Sequence, residues 1–223
     1  MIGTLSPCIL FDLDGTIVDS LPGIEFSVRE AFAACNIQSF ARDLRELIGP
    51  PIRTILSRVG GVLEKSQLDA LEKSFRLSYD TEGWQKAVFY PQADIVLPTL
   101  RERGHRLFVV SNKPRRVSLQ ILERGRILDC FEAVVTRDSR SPHYGSKEEM
   151  ISALLTQNVQ PQDCVMVGDT REDAKAAFKA GIPFIFMTHG YGSRSEIPSI
   201  QITYTLDSFS QFYELMTKES VLD

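Results

Sequence analysis

Apolar and polar positions along this chain change rhythm twice. Cys8-Ile9-Leu10-Phe11 is an uninterrupted apolar run of strand length, and it ends in two acids, Asp12 and Asp14, followed by Gly15. From Ser20 to about Trp84 apolar residues recur at helical spacing instead: Ile24, Val28, Ala31 and Phe32, then Ile52, Ile55, Leu56 and Val59, then Leu68, Leu71, Phe75 and Leu77. Three amphipathic helices are predicted there, and no strand. From residue 87 onward strand and helix patterns alternate. A helix over Ala93 to Arg103, carried by Ile95, Leu97 and Leu100 and closed by Gly104, leads into the strand His105 to Val110. Helix Val117 to Gly125, strand Phe131 to Thr136, helix Lys147 to Gln157, strand Cys164 to Val167, helix Thr170 to Ala180 and strand Pro183 to Met187 follow.

This order predicts an α/β fold, a mainly parallel Rossmann-like sheet with helices on both faces, interrupted by an inserted α-helical cap subdomain. The expected boundaries are a core of residues 1–19 and 85–223 and a cap of residues 20–84. Ligands of such sheets bind beyond the carboxyl ends of the strands. The insertion, expected above the sheet edge where Asp14 points, is a candidate lid.

Composition narrows the setting. With 223 residues, 43% hydrophobic and 24% charged, the sequence reads as an ordinary globular protein. A net charge of −4 without a basic run gives no reason to expect nucleic acid. No stretch resembles a membrane span or a secretory leader, so a cytoplasmic location is expected. Cys8, Cys35, Cys130 and Cys164 lack metal or redox spacing and are expected to be reduced, three of them in or beside apolar runs.

Chemistry enters at the strand ends. Side chains two apart on a strand start on the same face, so Asp12 and Asp14 face one way and Leu13 the other. One carboxylate can then attack phosphorus while the other handles protons, which divides a hard displacement into two easier ones. Two anions facing a phosphate need a cation, and oxygen ligands at this density select a hard one, Mg²⁺. An EF-hand loop starting at Asp12 is excluded, because its sixth and twelfth positions are Ile17 and Gly23 rather than Gly and Glu. An Asp-Gly turn between strands remains the alternative reading of this segment alone.

Three further segments offer polar groups at strand ends. Ser111-Asn112-Lys113-Pro114 follows the strand ending at Val110; it forms either an ordinary helix cap or an anion site at a helix N-terminus. Gly168-Asp169-Thr170-Arg171-Glu172-Asp173 follows the strand ending at Val167, with Asp169 and Asp173 about one helical turn apart. A loose capping box from Thr170 to Asp173 accounts for Asp173 and leaves Asp169 without a task. Lys147 opens a helix, where the dipole disfavours a cation unless an anion is near; a solvated surface lysine is the alternative. A nucleotide-triphosphatase P-loop is excluded, since it needs Gly-Lys-Ser or Gly-Lys-Thr and Lys147 stands between Ser146 and Glu148, with Pro142 in the loop before it.

Taken together, Asp12-Leu13-Asp14-Gly15-Thr16, Ser111-Asn112-Lys113, Lys147, and Gly168-Asp169 with Asp173 resemble the four motifs of the haloacid dehalogenase superfamily of phosphohydrolases, through nearly the whole chain. Ile48-Gly49-Pro50-Pro51 and Gly190-Tyr191-Gly192-Ser193 resemble segments of its phosphoglycolate-phosphatase-like members. One departure stands out: Glu148 follows Lys147 where many members have proline. The resemblance implies that Asp12 is the nucleophile and Asp14 the acid and base. It implies that Asp12, Asp169 and the main-chain carbonyl of Asp14 hold Mg²⁺, with Asp173 in the outer sphere of the ion or orienting Lys147. Ser111, Asn112 and the Gly15 amide would bind phosphate oxygens, and Lys147 would offset charge on Asp12 and the phosphoryl group. The expected partner is a small phosphate ester, 2-phosphoglycolate foremost, with no nucleic acid or membrane partner and a homodimer left open. A sugar phosphomutase keeps the same acids and is the second reading; a non-catalytic phosphate-binding protein is the third. In the cap, Arg53 and the Gly49-Pro50 turn are candidates for specificity.

Overall fold

The structure, a computed structural model, describes residues 8–38, 43–156 and 160–217. The chain divides into two compact units, the described parts of Met1–Val18 with Phe89–Asp223 and the segment Asp19–Val88. In the first unit the strands are β1 (Cys8–Phe11), then β4 (Arg106–Ser111), β5 (Phe131–Thr136), β6 (Cys164–Gly168), β7 (Phe184–Met187) and β8 (Tyr204–Leu206). Short strands β2 (Val18–Asp19) and β3 (Val88–Phe89) form a separate two-stranded sheet where the chain passes between units. The helices of the first unit are α4 (Ala93–Glu102), α5 (Arg115–Arg124), α6 (Lys147–Leu155), α7 (Arg171–Ala180) and α8 (Phe209–Thr217).

The six strands are ordered β5-β4-β1-β6-β7-β8, all paired in parallel. Strand β1 lies between β4 and β6, with Phe11 opposite Val109 on one side and Val167 on the other. The chain moves outward from β1 through β4 to β5 and then returns across β1 to β6. That reversal opens a crevice at the carboxyl end of β1, the place where open α/β sheets bind ligands.

Alternation along the strands divides the core into two layers. Leu10, Phe108, Val110, Met166, Phe184 and Phe186 pack with Met150, Ile151 and Leu154 of α6 and with Ala174, Ala176 and Ala177 of α7. On the opposite face Phe11 meets Phe212 of α8 edge-on, ring centroids 5.5 Å apart, and α4 packs against α8. A sheet covered on both faces explains why these strands read as continuous apolar runs.

Three elements depart from the pattern read in the sequence. The edge strand β8 is exposed or half-exposed throughout and carries no core signal. Helix α8 was legible in principle, through Phe209, Phe212 and Met216, all buried. In α4 the buried face is Ala93, Val96, Leu97 and Leu100, whereas Ile95 is exposed, so the apolar stripe is rotated by one residue from the expected one. The predicted end of α6 at Gln157 lies outside the described residues.

The second unit is helical: α1 (Leu21–Ala34), α2 (Ile52–Gly60) and α3 (Lys65–Thr81), with one-turn 3-10 helices at Leu44–Leu47 and Gly83–Lys86. Its core joins Ile24, Val28, Ala31 and Phe32 of α1 to Ile55, Leu56 and Val59 of α2 and Leu71, Phe75 and Tyr79 of α3. Phe75 and Tyr79 stack at 5.3 Å, so Tyr79 takes the core position expected of Leu77, which is exposed. A methyl group on Gly23 would overlap the carbonyl oxygen of Gly83, which fixes glycine at this close approach. Among the described residues no helix is long and apolar enough to cross a membrane.

Candidate active site

The first unit gathers its polar groups at the carboxyl ends of β1, β4 and β6. Asp12 follows β1 directly and donates its amide to the Val167 carbonyl at 2.9 Å, so the strand pairing continues through it. Asp169 follows β6, and Asp173 lies in the first turn of α7. These three carboxylates are buried, with ligand-type oxygens all within 4.8 Å of one another.

One cation stands among them. Lys147, buried at the start of α6, places Nζ 3.0 Å from Asp12 Oδ1 and 2.5 Å from Asp173 Oδ1. The solvated alternative for Lys147 is thereby excluded. Ser146 caps α6 by accepting the Glu149 amide. Upstream, Arg137 donates to the carbonyls of Tyr144 and Gly145 and so pins the irregular loop leading into this helix.

Both readings of Asp173 hold at once. Its Oδ2 accepts from the Thr170 amide and hydroxyl at 3.0 and 2.6 Å, completing a capping box, while its Oδ1 receives Lys147. With each oxygen already engaged, Asp173 orients the lysine and the helix start together. Asp169 is held from two sides. Thr16 Oγ1 donates to its Oδ1 at 2.9 Å and the Tyr191 amide to its Oδ2 at 2.8 Å. Neither donor is evident from sequence, because Thr16 and Asp169 are 153 residues apart. The glycines of the Gly190-Tyr191-Gly192 segment are the available signal: a methyl on Gly190 would overlap the Asp169 side chain, and one on Gly192 its carbonyl oxygen. Gly15, at φ +84°, is constrained the same way, since a methyl there would overlap Asp169 Oδ2.

Asp14 lies apart from the buried triad. Its carboxylate receives Nζ of buried Lys113 at 2.8 and 3.1 Å. Lys113 thus acts on the second acid of the first motif, a partnership that sequence spacing did not reveal. Ser111 is buried, with Oγ accepting the Lys113 amide at 3.3 Å. Asn112 Oδ1 is buried without a hydrogen-bond partner. The Gly15 amide donates to the Val18 carbonyl at 2.8 Å, within its own turn.

The electrostatics follow from burial. Desolvation, opposed by Lys147 and reinforced by Asp173 and Asp14, pushes the Asp12 carboxyl up to about 7. Burial, then the charges of Asp173 and Asp12, holds Asp169 well above the usual carboxylate range. Burial works against charge on Lys147, but Asp12 and Asp173 outweigh it and raise its pKa. Three carboxylates facing one buried ammonium leave an excess of negative charge that a divalent cation would neutralise, and the all-oxygen donor set suits a hard ion.

Comparisons with known proteins agree with this geometry. Residues 9–187 match the family model of haloacid dehalogenase-like hydrolases. A phosphoglycolate phosphatase of Psychrobacter arcticus is 28% identical over 94% of this chain and 95% of its own length. A plasmid phosphoglycolate phosphatase of Cupriavidus necator is 31% identical over 95% of this chain and 94% of its own. Among solved structures, a protein described as a predicted phosphatase of Clostridium acetobutylicum superposes with a TM-score of 0.82 at 28% identity, covering 95% of this chain and 98% of that one. A haloacid dehalogenase-like hydrolase of Streptococcus pneumoniae shares the fold with a TM-score of 0.83 at 24% identity, over 94% of this chain and 98% of that one. The chain belongs to the haloacid dehalogenase-like hydrolases and is a phosphatase of that family.

Proposed function

We propose that this protein is a Mg²⁺-dependent phosphatase of a small phosphorylated acid, 2-phosphoglycolate foremost, working through an aspartyl-phosphate intermediate. The observation that carries the reading is the buried group of Asp12, Asp169 and Asp173 around Lys147 at the carboxyl end of β1. Near full-length similarity to phosphoglycolate phosphatases supports the choice of substrate.

In this mechanism an Asp12 carboxylate oxygen attacks phosphorus and the bond to the leaving oxygen breaks. Asp14 supplies the proton that the leaving oxygen takes, then removes one from the water that attacks the aspartyl phosphate. Lys113 positions Asp14 throughout. Lys147 offsets charge on Asp12 and on the transferring group, and Ser111 and Asn112 bind phosphate oxygens. Asp12, Asp169 and the main-chain carbonyl of Asp14 would hold Mg²⁺, which supplies charge neutralisation and a template for phosphate oxygens. Asp173 holds Lys147 through Oδ1 and the start of α7 through Oδ2, and would stand in the outer sphere of the ion. Substrate choice is assigned to the helical unit.

Phosphate release from 4-nitrophenyl phosphate with and without Mg²⁺, followed by a panel of phosphoglycolate, hexose phosphates and nucleotides, tests the reading. Mg²⁺-dependent turnover with phosphoglycolate fastest is expected. Fast turnover of hexose phosphates or nucleotides with phosphoglycolate untouched refutes the substrate. Interconversion of sugar phosphates without net release favours a phosphomutase.

A further inference from the structure

His189 lies half-buried just after β7, outside every motif named so far. Its ring touches main-chain carbonyls with both nitrogens: Nε2 lies 3.1 Å from the Thr16 oxygen and Nδ1 3.1 Å from the Asp207 oxygen. Carbonyl oxygens only accept, so each contact is made by an N–H of the imidazole; the Nε2–H tautomer serves Thr16 and the Nδ1–H tautomer serves Asp207. Tyr90 fixes the ring from one side. Its ring centroid lies 3.9 Å from the imidazole, its hydroxyl donates to the His189 carbonyl at 3.2 Å, and its amide donates to Ile17 at 3.1 Å. The ring of Phe209 lies 6.3 Å from the imidazole.

The position of this ring gives it leverage. Thr16, whose carbonyl it reaches, holds Asp169 Oδ1 through its hydroxyl. Tyr191, two residues beyond His189, holds Asp169 Oδ2 through its amide. Both oxygens of one buried carboxylate are therefore fixed by two loops, and the imidazole is a side chain that joins them, beside Tyr90, which reaches His189 and Ile17. Thr16 and the Gly190-Tyr191-Gly192 segment both lie outside the regular strands and helices, so a cross-brace between them bears on their separation.

We propose that His189 is a positioning residue for Asp169: through the Thr16 carbonyl it fixes the spacing of the two loops that orient the carboxylate, and it thereby sets the affinity for the divalent cation. This rests on the reading that Asp169 holds Mg²⁺. Groups that orient a ligating side chain affect metal affinity by about 10-fold to 100-fold when removed.

Two substitutions separate this role from simple packing. The amide nitrogen of glutamine can reproduce the Nε2 donor, and that of asparagine reproduces the shorter-reach Nδ1 donor. Mg²⁺ binding is measured by titration calorimetry on His189→Gln, His189→Asn and the unmodified protein, with thermal midpoints recorded without metal and KM and kcat measured at saturating Mg²⁺. His189→Asn should bind Mg²⁺ about 10-fold more weakly. His189→Gln should restore most of that affinity, and kcat at saturating Mg²⁺ should change little in either. Equal Mg²⁺ affinity in all three proteins overturns the inference, as does equal weakening in both variants or a fall in thermal midpoint with unchanged affinity. An unmodified protein that binds no Mg²⁺ refutes the cation reading itself, a result distinct from these.

Discussion

Two ion-pair networks in this protein set cationic side chains against carboxylates at similar distances and reach opposite states. In the helical unit, Arg53 of α2 pairs with Asp69 and Glu72 of α3 at 2.6 and 2.9 Å, and Arg76 joins Glu72 at 3.1 Å. In the sheet unit, Lys147 pairs with Asp12 and Asp173 at 3.0 and 2.5 Å. Hydrogen bonds from Arg53 hold the exposed Asp69 below the ordinary range; partial burial raises Glu72, but Arg53 and Arg76 together outweigh it and lower its carboxyl. Burial raises Asp12 and Asp169 despite the neighbouring ammonium. Water screens the first network and makes it a modest brace between helices. Its exclusion from the second makes every charge there depend on the others. Short distances between opposite charges do not identify a reactive site; the ratio of anions to cations in a dry place does.

The contrast is best broken at its strongest point. Replacing Asp12 by Asn should lower kcat/KM by at least about 10⁴-fold, because the nucleophile is gone. The protein should remain folded by circular dichroism, since a crowded negative charge has been removed. An active Asp12→Asn enzyme would refute the covalent mechanism.

Lys147→Met keeps the length of the side chain and deletes the charge. Leaving Asp12 and Asp173 without their cation should cost about 3–5 kcal/mol in chemical denaturation without metal, the usual penalty for breaking a buried pair. Turnover should fall with it, and a variant as stable as the parent would mean that these carboxylates do not need the ammonium.

The pH dependence has a defined sign. A carboxyl whose folded pKa is raised binds its proton more tightly folded than unfolded, so its contribution to stability is lost as pH rises from the normal carboxylate range through the folded value. For Asp12 that window ends near about 7, and Asp169 shifts in the same direction. The metal-free protein should therefore lose stability from this cluster between about pH 4 and pH 8. Added Mg²⁺ competes with those protons, so its stabilisation should be larger at pH 8 than at pH 5.5 in parallel thermal melts. A Mg²⁺ effect independent of pH would contradict the buried-acid picture.

A substitution beside the cluster should act by crowding. Gly192→Ala would drive a methyl group into the Asp169 carbonyl, and a loss of about 1–3 kcal/mol with reduced activity is expected. At the other end of the scale, Arg53→Ala should leave the thermal midpoint and the turnover of 4-nitrophenyl phosphate nearly unchanged, because its partners remain solvated. A large loss of phosphoglycolate turnover in that variant would give Arg53 a role in substrate choice beyond its pairing with Asp69 and Glu72.

What the sequence disclosed followed from locality. Cys8 to Phe11 announces a buried strand because four apolar residues run together, and Asp12 is conspicuous as the acid that stops them. The order of acids, hydroxyl and lysine at successive strand ends carried the family and the fold. Contacts formed only by folding were hidden: Lys113 with Asp14, Thr16 with Asp169, and the ring of His189 on Thr16. The edge strand β8 escaped because an exposed edge has no burial pattern to read, and Ile95 and Leu77 misled because single apolar residues are common on surfaces.

The double engagement of Asp173 has a consequence for how the enzyme fails. One carboxylate fastens the first turn of α7 through Thr170 and steadies Lys147 beside the nucleophile. Helix ends open at lower free energy than the strands beneath them. Fraying of that single turn would leave the ammonium with Asp12 alone while the sheet stays intact. On gentle heating, turnover should therefore fade before the protein melts.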